Sequence, residues 1–169
     1  MTKLRPAKLA FSTLVSTMML ASGAGCSSMT IKAEVKPGHF RFENFMRDKG
    51  PKNERMYAYL MCYNQRPTMW AQPRQYEEGE HHLWVKVIAA DGAVINSKSE
   101  AITDFTVHLP EGKSYMLNRK TYENSNKIDV WIQEVDTGLL VSDVKTIELD
   151  KPKVVKYQAE RDMCESSTI

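Results

Sequence analysis

The stretch HLWVKVIAA, residues 82–90, places Leu83, Val85 and Val87 on one side of an extended chain and Trp84 on the other. Successive side chains of a strand point to opposite faces, so this period of two predicts a β-strand with one face in a core. The same period recurs on either side of it. FTVHL (105–109) aligns Phe105, Val107 and Leu109, KIDVWIQEV (127–135) aligns Ile128, Val130 and Ile132, and HFRFENF (39–45) sets Phe40 beside Phe42. TIKAEVK (30–36) lines up Ile31, Ala33 and Val35, and MYAYLMCY (56–63) is apolar or aromatic throughout, as a strand covered on both faces would be. No long amphipathic helix is evident.

Turn chemistry separates these runs. Asp91-Gly92 is a pair favoured in tight hairpins, where φ must be positive. In LPEGKSY (109–115) Pro110 fixes φ and Gly112 accepts a left-handed conformation; in VDTGLL (135–140) Gly138 suits a left-handed or bulge position. Short strands with turns between them predict an all-β fold, a single compact antiparallel β-sandwich of about seven or eight strands. Residues 46–55, MRDKGPKNER, are charged and broken by Gly50 and Pro51, and read as a loop. Residues 151–169 read as a polar C-terminal tail.

The N-terminus is organised differently. Lys3, Arg5 and Lys8 precede an apolar and small-residue run from Leu9 to Gly25, interrupted by serine and threonine. That is the layout of an export signal, and the run falls short of the roughly 20 apolar residues that cross a bilayer. At its end, GAGC (23–26) resembles the lipobox of bacterial lipoproteins, with Gly23 in place of the leucine most common there. The resemblance implies cleavage after residue 25, a diacylglyceryl group on Cys26, and, with Ser27 rather than aspartate next, delivery to the outer membrane of a Gram-negative bacterium. An ordinary secretory leader with an incidental cysteine is the competing reading. On the lipoprotein reading, 1–25 is a signal peptide, 26–29 a lipidated tether, and 30–150 the β-domain.

Removing the leader takes three of the chain's 23 basic residues and none of its 21 acidic ones, so the remainder is close to neutral. A clustered basic face, which nucleic-acid binding needs, is not evident. With Cys26 committed to lipid, Cys62 and Cys164 remain as a disulfide pair in an oxidising compartment, which would pin the tail; the alternative is a buried free Cys62 and an unattached Cys164.

YEEGEHHLWVKV (76–87), DFTVHLPEGKSYMLN (104–118) and VWIQEVDTGLLVS (130–142), taken in order, are similar to segments of small proteobacterial lipoproteins with PEGA-like β-sandwiches. That resemblance implies the fold and brings no catalytic residue. The cysteine pair and the GKSY turn (112–115) also resemble lipoprotein lysozyme inhibitors, without the serine and glycine pattern of their loop.

Reaction signatures are missing: no Gly-x-Ser-x-Gly elbow, His-Glu-x-x-His pair or phosphate-cradling glycine loop occurs. His81 and His82 are adjacent, so on a regular strand they face opposite ways and cannot share one ion. No catalytic residue, metal or cofactor is predicted. Trp70, Trp131, His81 and His82 are the candidate binding surface, because exposed aromatic side chains concentrate binding energy. The expected partners are the membrane, through the N-terminal lipid, and another envelope protein. The alternative is capture of a small ligand or metal, between the sheets or at the 81–87 strand end.

Overall fold

The computed structural model describes residues 34–47, 54–69, 72–152 and 157–169. In chain order the strands are β1 (His39–Glu43), β2 (Phe45–Arg47), β3 (Glu54–Leu60), β4 (Cys62–Tyr63), β5 (Arg66–Pro67), β6 (Arg74–Glu77), β7 (Gly79–Asp91), β8 (Ser99–Leu109), β9 (Ser114–Thr121), β10 (Lys127–Glu134) and β11 (Lys145–Glu148). One helix follows, α1 (Tyr157–Glu165). The fold is thus strand-dominated, with one short helix. The strands form a five-stranded sheet, β11-β10-β9-β1-β6, a four-stranded sheet, β2-β3-β7-β8, and the small hairpin β4-β5.

The alternation of residues 82–90 sets the register of the four-stranded sheet. Val85 and Val87 stand opposite Leu60 and Ala58 of β3, and Leu83 opposite Phe105 of β8. All six are buried. They join Phe40, Phe42, Tyr115, Leu117, Ile128, Val130 and Ile132 from the other sheet in one apolar cluster. Full burial of such a side chain is worth roughly 1.5–3 kcal/mol, so this shared cluster dominates the stability. The chain passes between the sheets at Asn44, whose Oδ1 accepts a hydrogen bond from the Leu60 N–H at 3.0 Å.

Four expectations need correction. β1 pairs parallel with β9, so the arrangement is mixed rather than wholly antiparallel. A parallel pair needs a long crossover, and the whole of β2 to β8 lies between these two strands. Eleven strands are present among the described residues rather than seven or eight, three of them only two or three residues long. Asp91-Gly92 does not make a two-residue hairpin: the connection runs on to Lys98, Asn96 takes the left-handed conformation (φ 61°), and Ser97 Oγ closes the loop on the Asp91 N–H and C=O. Gly112 (φ 74°) and Gly138 (φ 71°) do adopt left-handed backbone. Within 46–55, read as a loop, Met46 and Arg47 belong to β2 and Glu54 and Arg55 to β3.

The tail is built into the fold. Glu160, Met163 and Cys164 share one face of α1, at the spacing that puts side chains on a common stripe. Cys164 is disulfide-bonded to Cys62 on β4, with the Cα atoms 5.4 Å apart. Met61, Trp84, Ile102 and Met163 pack around the bond as a second apolar cluster. Beyond the helix, the Thr168 N–H donates to the His82 carbonyl at 3.2 Å, and Ile169 enters the main core. Within 30–36, residues 34–36 lie outside any strand and 30–33 lie outside the described residues.

Candidate functional site

The outer face of the four-stranded sheet is unusual, since its apolar side chains point away from the core. On β3 Met56, Ala58 and Leu60 belong to the core cluster, so Arg55, Tyr57 and Tyr59 face outward by alternation. On β7 the outward set includes His82, Trp84, Lys86, Ile88 and Ala90. Register aligns Met46, Tyr57 and Ile88 in one row across three strands, and places Tyr59, Lys86 and Ile102 in the next row but one.

Helix α1 packs on this face at Trp84, Lys86 and Ile102. Beneath it lies a buried ion cluster in which Lys86 Nζ contacts a Glu160 carboxylate oxygen directly and lies 3.9 Å from Glu100 Oε2. The three side chains are only 8–13% exposed. On the β2 side of this face is a groove of about 410 Å³, with Tyr57, Ile88 and Met46 in one row, Tyr59 beyond them, Arg55 and Lys98 at one end, and Met69 also lining it. Met46 and Met69 remain 47% and 78% exposed. A mostly apolar hollow with a few convergent polar groups is the ordinary make-up of a binding site. A second cleft, about 760 Å³, opens between Arg55, Asp91 and the Thr121–Lys127 turn; polar loop residues line much of it.

Burial, followed by the nearby Glu160 carboxylate, pushes the Tyr59 phenol up to about 12. Tyr59 is therefore a neutral hydroxyl wall at physiological pH. A raised value means that the folded form holds its proton longer than the unfolded chain. The associated stability is present in full below 10.0 and declines as pH rises toward about 12. Tyr59→Phe is expected to lose less stability across that interval than the parent protein, as read from urea midpoints on both sides of it; identical losses would count against this burial.

The histidines grip the tail rather than forming an open patch. His81 is buried against Phe40, its Nδ1 3.0 Å from Thr168 Oγ1 and its Nε2 2.9 Å from the Glu77 carbonyl. His82 Nδ1 lies 3.1 Å from the Ser166 carbonyl, and Nε2 lies 3.1 Å from Asp104 Oδ2. Asp104 also accepts from Lys145 Nζ at 3.0 Å, and that bond holds its carboxyl below the ordinary value, with His82 assisting. Trp84 Nε1 donates to Ser166 Oγ at 2.9 Å. Trp131 sits on the other sheet, half-buried opposite Asn118, and donates to Gln133 Oε1 at 2.9 Å. The candidate surface residues therefore do not converge, while Trp70 and Cys26 lie outside the described residues. His108 Nδ1 lies 3.2 Å from Glu80 Oε1.

Among the described residues, no group of three or more His, Cys, Asp or Glu side chains is placed to hold an ion, and no helix is long and apolar enough to cross a membrane. Comparison of the chain with protein families, curated proteins and solved structures finds no match.

Proposed function

We propose that this protein is a non-catalytic lipoprotein of the Gram-negative envelope, anchored in the outer membrane through Cys26 and binding another envelope protein. The observation that carries this reading is the cysteine count. The Cys62–Cys164 bond is of a kind that persists in oxidising compartments, and it leaves Cys26 as the odd cysteine, directly behind a basic and then apolar leader. Two or more acyl chains hold a protein stably where one does not. The body of the domain is read as a sandwich of the two larger sheets, and the core cluster drawn from both supports that description.

Cys26→Ser is expected to abolish labelling by radioactive palmitate and to release the protein from the membrane fraction. Unchanged label and retention would reject the anchor. Crosslinking in cells that returns a reproducible envelope partner would support the binding role, and recovery of the monomer alone would oppose it. The groove on β2, β3 and β7 favours a second reading, capture of a small ligand, because it is a largely apolar hollow with Met46 and Met69 exposed in it.

A further inference from the structure

We propose that the groove on the outer face of the four-stranded sheet binds a single-chain anionic amphiphile, a fatty carboxylate or its like, with the chain along the Met46-Tyr57 row and the acid at Lys98. This rests on the small-ligand reading of the groove and not on the lipid anchor.

Among the described residues the groove carries charge at one end only. Along β3 the outward residues run Arg55, Tyr57, Tyr59, and along β7 they run Ala90, Ile88, Lys86, in register. Arg55 and Lys98 therefore mark one end, and the Met46-Tyr57-Ile88 row forms the middle. At the far end Tyr59 meets the α1 side of the sheet, where Lys86 is already matched by Glu160 and Glu100 and nearly closed off from water. Among the described residues that end offers a neutral phenol and no accessible charge. Among the described residues no glutamate or aspartate lines the groove, and Lys98 has no ion-pair partner.

An apolar slot with the Lys98 ammonium at its mouth complements a molecule with one anionic head and one apolar chain. A cationic head would meet like charge there. A doubly charged or branched polar ligand would leave polar groups desolvated on Met46 and Ile88, at a cost. Methionine suits this duty, since its flexible thioether adapts to chains of varying shape, and Met46 and Met69 supply it.

The test uses the full chain carrying Cys26→Ser, labelled at its methionine methyls, with dodecanoate below its micelle-forming concentration as probe. Dodecanoate is expected to shift the Met46 and Met69 methyl signals saturably, while dodecyltrimethylammonium does not. Lys98→Glu, in a surface loop, is expected to weaken binding about ten-fold by replacing an attraction with a repulsion. Met46→Glu, at a half-exposed position, is expected to abolish it with the melting transition retained. Equal binding of the cationic chain, or an affinity indifferent to Lys98→Glu, overturns the anionic preference and leaves a ligand groove standing. Absence of any methyl shift with either chain overturns both. Shifts seen only with phosphatidylglycerol vesicles overturn the proposal in favour of contact with a bilayer.

Discussion

Replacing Cys164 with serine is expected to lower the unfolding free energy by about 3–5 kcal/mol, the largest single-bond effect in the molecule. The bond joins residues 102 apart, and for a loop of that size the chain-entropy account gives about 4.7 kcal/mol, with measured values often smaller. Local structure adds to this. A helix of α1's length is marginal by itself in water, so α1 depends on the disulfide and on Met163 packing against Met61, Trp84 and Ile102. The tail has a second hold through Thr168 and Ile169. The serine variant should consequently still fold, with a lower urea midpoint and α1 loosened. Urea titrations of the oxidised protein, the reduced protein and the Cys62→Ser/Cys164→Ser double variant should place the last two together, below the first. A midpoint unmoved by reductant, under conditions where both thiols titrate, would contradict the argument.

The strands were legible because alternation is a local signal. Leu83, Val85 and Val87 report their common face without knowledge of their neighbours, and so do Ile128, Val130 and Ile132. Pairing is not local. Nothing in HFRFENF announces that β1 lies parallel to a strand about 70 residues away, since its Phe40 and Phe42 alternation suits either direction. The Asp91-Gly92 signal was real but incomplete: Ser97, several residues on, closes the loop. Helix α1 stayed hidden because its inward stripe comprises one glutamate, one methionine and one cysteine in a polar segment. Glu160 becomes interpretable only when Lys86 is seen beneath it.

The groove shows the same division. Tyr57 and Tyr59 alternate within MYAYLMCY, a pattern that strands produce widely. Register with β2 and β7 turns them into a floor with Met46 and Ile88, and a loop position with no pattern of its own delivers Lys98. Likewise His81 and His82 face opposite sides of β7, as adjacent strand residues do. The tail that occupies both rings lies more than eighty residues downstream.

Lys86→Ala is expected to destabilise the protein by about 3–5 kcal/mol, although a lysine on an outer sheet face would ordinarily be replaceable. The reason is what the substitution leaves behind. Glu100 and Glu160 flank Lys86 with side chains 8% and 13% exposed, and without the ammonium the Glu160 carboxylate loses its direct cationic partner, with Glu100 close by, in a site nearly shut away from water. Glu100 cannot readily swing out, since its backbone N–H and C=O are both bonded to Asp150. Glu160 can escape only by lifting α1, which the disulfide opposes. Removing one member of a buried ion cluster exposes the desolvation cost that the cluster had offset, whereas replacing all members with apolar groups of similar volume does not. The triple variant Lys86→Met/Glu100→Leu/Glu160→Leu should therefore recover parental stability or exceed it, and the comparison separates charge compensation from simple packing. If Lys86→Ala proves as stable as the parent in urea, or the triple variant is the least stable of the set, the cluster holds α1 through shape rather than charge.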